Sequence, residues 1–421
     1  MTIQLSSLPQ TDAEIIPWQK VDSSWRETVE QATLPDTPPS YLIFPHTQDA
    51  LAEVVRYANE NQLAILPCGN ASKLTWGGLV KNPQLVISTQ RLNHIIAHAV
   101  GDLTVTVEAG VTLQQLQSIL QPHSQFLPID PAYPDKATLG GIMATADTGS
   151  WRQRYGGVRD MVLGLSFVRY DGKIAKGGGR VVKNVAGYDM MRLFTGSYGT
   201  LGIITEMTFR LYPIPEASQT LLLTGKSDSI AVVAKSLRQS GVTPTAAEIL
   251  STSLVKSLGN GQEMGILLRF QSISESISEQ IRQVKELAQP KNCQSQIYSD
   301  LDEIQLWEKL QVGKNNSDLI CKIGISPSES IRFLTKVNEF GTGMVNLSSG
   351  LGKIVIKKQG IKELRSLCQS HQGFLSVLEA AKLIKEKIDP WGYNGNALEI
   401  MQKLKQKFDP NQIFSPNRLF V

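Results

Sequence analysis

The chemistry that this sequence advertises is carried by glycines and short polar residues. Pro67-Cys68-Gly69-Asn70-Ala71-Ser72-Lys73 follows one apolar run, and Thr138-Leu139-Gly140-Gly141 opens another. A glycine inside a helix or strand costs roughly 0.5–1 kcal/mol, so glycines placed where apolar segments begin need a compensating use. Gly69 leaves room, and Asn70 and Ser72 add short polar groups, so successive N–H donors can converge on an anion. Thr138 reads as the cap of a helix continuing through Ile142, Met143 and Ala144, whose first amides would present a second donor set. Two such bends suit a diphosphate held from both sides; taken singly, each reads as a turn and a cap. Arg154-Tyr155-Gly156-Gly157 and Gly196-Ser197-Tyr198-Gly199-Thr200-Leu201-Gly202-Ile203 extend the series.

Other familiar chemistries are missing. Gly177-Gly178-Gly179 opens no G-x-G-x-x-G helix followed by an acid, and the full Walker pattern, Gly and four residues before Gly-Lys-Ser/Thr, is absent, which disfavours a Rossmann site and a Walker loop. Cys68, Cys293, Cys321 and Cys368 lie far apart and read as reduced thiols, not as cluster ligands. The histidines are His46, His94, His98, His123 and His371, with no H-x-H; Ile95, Ile96 and Val100 make the His94/His98 pair a strand entry, and His371 reads as a helix end. Several side chains have two readings. Arg269 and Lys322 point into a cleft or sit on the outward face of a sheet; Arg152 and Arg154 attract an anion or form surface ion pairs. Trp76 covers the edge of a ligand or fills a core, and the amides around Cys68 would lower its thiol pKa.

The elements that must position these residues follow from periodicity. With 421 residues, two or three domains are expected. Residues 1–40 read as a polar, irregular extension closed by Pro35-Asp36-Thr37-Pro38-Pro39. Thr47 caps a helix bearing Leu51, Val54, Val55 and Ala58; Leu63–Leu66 and Leu85–Ile87 are buried strands, and 95–109 is a hairpin about Gly101-Asp102. Thr112 and Gln115 have capping-box spacing, and Ile203–Leu211 is a strand before Pro213. Beyond it, strands (Leu221–Leu223, Ile266–Phe270, Leu319–Ile325, Lys353–Ile356) alternate with helical patterns, as in an α+β sheet with helices on one face, and Ala397–Phe408 is a last amphipathic helix. A net charge of +4 without a basic, aromatic-interleaved cluster argues against nucleic acid. No apolar run approaches roughly 18 residues and the N-terminus lacks a basic leader, so no signal peptide and no direct membrane span are expected.

The combined series over residues 41–213 resembles the FAD-binding domain shared by the p-cresol methylhydroxylase (PCMH) and vanillyl-alcohol oxidase flavoproteins. Within that superfamily, two stretches resemble the FAD-binding subunit of glycolate oxidase. They are Gly178-Gly179-Arg180-Val181-Val182-Lys183-Asn184-Val185-Ala186-Gly187-Tyr188-Asp189 and the tail Phe408-Asp409-Pro410-Asn411-Gln412-Ile413-Phe414-Ser415-Pro416-Asn417-Arg418. The resemblance implies an α+β fold: a two-subdomain PCMH-type FAD-binding domain (41–215) after the extension 1–40, an α+β cap domain with an antiparallel sheet (216–390), and a C-terminal helix and tail (391–421) returning to the FAD domain. It places the pyrophosphate near Cys68, Gly69, Asn70, Ala71 and Ser72 and near Thr138, Leu139, Gly140 and Gly141. Ala144 would face the cofactor, and Gly202 and Ile203 would contact it through their backbone. Ala71 stands where many relatives carry a flavin-linking histidine, which implies noncovalent FAD. Tyr198 stands where many two-carboxylate relatives have Glu. The implied function is that of an FAD-binding subunit supporting oxidation of a small 2-hydroxy acid, glycolate to glyoxylate. A sister FAD subunit and an iron–sulfur subunit would be its partners, in the cytoplasm, with membrane contact only through partners. A self-sufficient oxidoreductase for a lactate-like acid, a non-catalytic scaffold and, more weakly, an enolpyruvyl-sugar reductase are the alternatives; the catalytic base stays unassigned.

Overall fold

The computed structural model describes residues 9–35, 38–179, 187–311, 318–393 and 395–419, so Arg180–Ala186 of the glycine-rich motif lie outside the described residues. The first sheet is built from β1 (Ala13–Pro17), β2 (Tyr41–Pro45), β3 (Ile65–Cys68) and β4 (Leu85–Ser88), in the order β1-β2-β4-β3. β2 and β3 flank β4 in parallel, and β1 closes one edge antiparallel. The helix Gln48–Glu60 covers this sheet with Leu51, Val54, Val55 and Ala58, and Thr47 caps it by accepting from the Ala50 amide at 3.1 Å.

The N-terminal part is more ordered than its composition suggests. Residues Ala13–Pro17 pair with Tyr41–Pro45, and a helix at Ser23–Ala32, capped by Asp22, buries Val29 and Ala32. With so few apolar positions its periodicity is faint; pairing with a strand well along the chain supplies the order (Ala13 faces Pro45, Pro17 faces Tyr41).

β5 (Ile95–Ala99) and β6 (Thr104–Glu108) form the expected hairpin. After β7 (Gln125–Phe126) come β8 (Val162–Val168), β9 (Ile174–Gly178) and β10 (Ile203–Arg210), giving a second sheet in the order β5-β6-β10-β8-β9. β11 (Tyr212–Pro213) pairs with β7. The capping box is present: Thr112 Oγ1 accepts from the Gln115 amide while Gln115 Oε1 accepts from the Thr112 amide.

The third sheet contains eight antiparallel strands, β12 (Ala217–Gly225), β13 (Ala246–Leu250), β14 (Met264–Ser272), β15 (Gln294–Ser299), β16 (Asp318–Gly324), β17 (Gly341–Asn346), β18 (Leu351–Lys357) and β19 (Phe374–Glu379), ordered β15-β12-β14-β13-β17-β18-β16-β19. Side chains alternate across it. Leu319, Cys321, Ile323, Ile354, Ile356, Ala247 and Ile249 pack against helices at 227–239, 274–288, 330–337 and 361–370. Their neighbours Lys322, Lys353, Glu248 and Asn346 line a cavity whose other wall includes Trp76, Asp130 and residues 145–150. After the helix Leu398–Phe408 the tail returns to the first sheet, where the Ile65 amide donates to Ile413 O at 2.6 Å and the Ser415 amide donates to Ile65 O at 2.8 Å. No helix among the described residues is long and apolar enough to cross a membrane.

Candidate functional site

β3 delivers its last residue, Cys68, to a cavity with about 710 Å³ of atom-free space. Pro67–Leu74, Thr138, Gly140, Gly141, Ala144, the bend Ser197–Gly199, Gly202–Ile204 and Arg418 line it. The two bends read from the sequence touch: a Cβ on Gly69 would stand 2.1 Å from Thr138 Oγ1. Around the first bend, side chains take the carbonyls. Ser88 Oγ donates to Gly69 O at 2.9 Å and Thr89 Oγ1 donates to Cys68 O at 3.3 Å. The amides of Asn70, Ala71, Ser72 and Lys73 have no acceptor among the described residues. They form the donor nest.

The second bend is different. Leu139 and Gly140 donate their amides to Val111 O and Ala109 O at 2.8 and 2.9 Å, and Gly141 donates to Thr138 Oγ1 at 3.2 Å. The helix start therefore has its first amides already committed, and Leu139 is buried in the core. Gly140 serves packing, since a Cβ there would lie 2.8 Å from that of Ala109. Thr138–Gly141 is a wall of the cavity, not a second set of donors. Cys68 also departs from expectation: burial pushes its thiol up to about 12, and the nearby Arg418 charge offsets only part of that.

Arg418 was invisible as a site residue in the sequence. It is 4% exposed, its Nη2 donates to Leu74 O at 2.6 Å, and its buried Nε and Nη1 have no acceptor among the described residues. Its carbonyl accepts from Trp391 Nε1 at 3.0 Å, and Trp391 meets the Tyr198 ring edge-on at 4.9 Å.

Thr145 lines both this cavity and a second one of about 1100 Å³ beneath the cap sheet. Trp76, Asp130, Asp147, Arg152, Glu248, Lys322 and Lys353 lie in its wall. Lys73 Nζ pairs with Asp147 at 3.0 Å, and the Ala132 amide donates to the same carboxylate at 2.9 Å. Asp130 accepts from the Ser150 and Trp151 amides, both at 2.9 Å, yet burial raises its carboxyl to about 7. Burial raises Glu248 to about 8, against hydrogen bonds from Ser150 and Asn346, and the charge of Asp130 adds a smaller push in the same direction.

The two-way readings now separate. Lys322, Arg152 and Trp76 reach the cap cavity. Arg269 instead pairs with buried Glu303 at 3.0 Å, between the rings of Trp151 and Trp307, and Arg154 is exposed. The histidines lie elsewhere: His46 beside Asp12, His94 beside Glu108, His98 on Gln125 and against the His123 ring, and His371 near Glu329. Asp130, Glu248 and Lys353 were not singled out from sequence, because only the long-range strand order brings them together.

Comparison with known proteins agrees with this geometry. Residues 39–178 match the FAD binding domain family. The mitochondrial D-lactate dehydrogenase [cytochrome] of Arabidopsis thaliana is 29% identical over 279 residues, covering 64% of this chain and 49% of that protein. Glycolate oxidase subunit GlcE of Escherichia coli (strain K12) is 37% identical over 173 residues, covering 41% of this chain and 49% of that protein. The chain thus spans about half the length of these two relatives. A p-cresol methylhydroxylase solved with substrate bound superposes with a TM-score of 0.76 over 98% of this chain and 94% of that one; at 15% identity this shows the fold. Residues 39–178 thus carry an FAD-binding domain, on a fold like that of p-cresol methylhydroxylase, and FAD is its cofactor. The first cavity suits it on its own terms, since among the described residues the amides at 70–73 have no acceptor and the buried guanidinium of Arg418 has none for Nε and Nη1.

Proposed function

We propose that this FAD-binding chain is a flavin-dependent oxidoreductase of 2-hydroxy acids that works as the FAD-binding subunit, of the GlcE kind, in a glycolate oxidase-type assembly. Oxidation of glycolate to glyoxylate would send electrons on to a partner, a sister flavoprotein and an iron–sulfur subunit completing the complex. One observation carries the reading: the donor-lined cavity and the cap cavity share the wall at Thr145, so a flavin in the first can meet a small acid in the second. FAD would lie against Cys68, Gly69, Asn70, Ala71, Ser72, Thr138, Gly140, Gly141, Ala144, Gly202 and Ile203, noncovalently, with Arg418 added to that set. The bound flavin would supply a two-electron acceptor. The chain's part is to hold the acid, exclude water and take up the hydroxyl proton.

A second reading, a self-sufficient oxidoreductase for a lactate-like acid, is favoured by the charged groups of the cap cavity. The chain purified alone should be yellow and release FAD on denaturation. Anaerobic glycolate or D-lactate is then added with each partner present or omitted. Bleaching that requires the partners supports the subunit reading; bleaching of the isolated chain supports the second. A folded chain that ignores added FAD sinks both.

A further inference from the structure

We propose that Lys322 and Lys353 form a carboxylate-binding pair, the point at which the cap sheet holds the acid group of the substrate. The class of ligand rests on the 2-hydroxy acid reading above; the existence of an anion site does not.

The two lysines are directly opposite each other in the antiparallel register of β16 and β18, and both reach the cap cavity. Like charges facing each other across a strand pair are destabilising, and here burial adds to the cost by pulling both ammonium groups below their usual pKa. Neither Nζ has a hydrogen-bond or ion-pair partner among the described residues. The groups that could compensate them are few. Asp147 attracts both, but it already pairs with Lys73 at 3.0 Å. Glu379 helps only Lys353, while Arg152 opposes Lys322 and Lys73 opposes Lys353. Glu248, raised to about 8, is mostly protonated near neutrality and Asp130, raised to about 7, is about half so, and together they offset the cations only in part. The cavity therefore holds excess positive charge in a confined space, a standing invitation to an anion. Its position against the flavin cavity at Thr145 selects a small organic acid over a polyanion.

Oxalate, which has no oxidisable alcohol, tests the pair without turnover. It is titrated calorimetrically into the full chain, with and without FAD, beside inorganic phosphate and in Lys322→Met, Lys353→Met and Lys353→Arg variants. Saturable oxalate binding is expected in the native chain, weakened at least tenfold by each methionine and largely kept by arginine. Ligand-free Lys353→Met should melt no lower than the native chain, which shows that it folds. Absent oxalate binding, binding indifferent to both methionines, or phosphate binding in place of oxalate overturns the proposal. Lys-dependent oxalate binding to a chain that takes no FAD would leave the pair standing and remove the oxidoreductase reading. A yellow chain without such binding does the reverse.

Discussion

Asp130 belongs to the loop after β7 and Glu248 to β13, yet both line one cavity, where the charge of the first raises the proton affinity of the second. Their folded pKa values, about 7 and about 8, lie above the ordinary values of 3.8 and 4.5. Between those limits the folded state binds more protons than the unfolded one. The stability they contribute is therefore complete below about pH 4 and is lost as pH rises through 7 to 8. The melting temperature should fall by something on the order of 5 °C between pH 5 and pH 8. Asp130→Asn with Glu248→Gln should flatten that slope; an unchanged slope in the double variant would refute the assignment. Gly69 makes a different kind of demand. A methyl there would press on Thr138 Oγ1 and spread the two bends. Gly69→Ala should weaken FAD binding roughly tenfold or more, about 1.4 kcal/mol, read from flavin retained after gel filtration.

The helix Leu398–Phe408 and its tail are locked by one ion pair. Lys405 Nζ binds Asp409, Thr200 O at 2.9 Å and Phe414 O at 2.8 Å, and Asp409 accepts from the Ile413 and Phe414 amides at 3.0 and 2.8 Å. Asp409 is fully buried. Removing only the lysine strands that carboxylate, so Lys405→Met should cost about 3–5 kcal/mol in urea unfolding, and adding Asp409→Asn should recover part of it. The Lys405 loss should also loosen Arg418 and with it the flavin. Elements of this kind were legible from sequence where local signals agree. Thr47, the Thr112/Gln115 box and the β5–β6 hairpin each follow from caps and periodicity within a few residues. Other elements gave no local signal. β17 contains Gly341 and Gly343, whose Cβ atoms would collide with Val355 O and Ile354, so close approach to β18, not propensity, makes it a strand. β1 and the helix Ser23–Ala32 likewise depend on β2 and on buried neighbours far along the chain.

At the scale of the whole molecule, the amide-lined loop at 69–73 could be read from glycines and polar residues because nearby backbone builds it. The facing cap residues could not be, because Lys322, Lys353 and Glu248 converge only once eight strands are ordered. Arg418 stayed hidden for the same reason: only the return of the tail to Ile65 carries it into the cavity. That return also joins the two halves. Trp391 packs on Gly77 and donates to Arg418 O, while Lys385 Nζ binds the carbonyls of Thr75, Gly77 and Leu378. A ligand that engages Arg418 must therefore steady the tail, the loop at 74–78 and the segment at 385–391 together. Saturating FAD, at about 100 times its dissociation constant, adds about 2.7 kcal/mol to the folded state. Hydrogen exchange should report where that is felt. Amides at 413–418, at 74–78 and at 385–391 should slow on FAD addition, whereas the outer cap helix Ser274–Ala288 should change only through global unfolding. In Arg418→Met the tail and cap segments should lose that response while the 70–73 amides keep some of theirs. Equal slowing of all three regions in the native chain and the variant would show that the guanidinium does not couple flavin to cap.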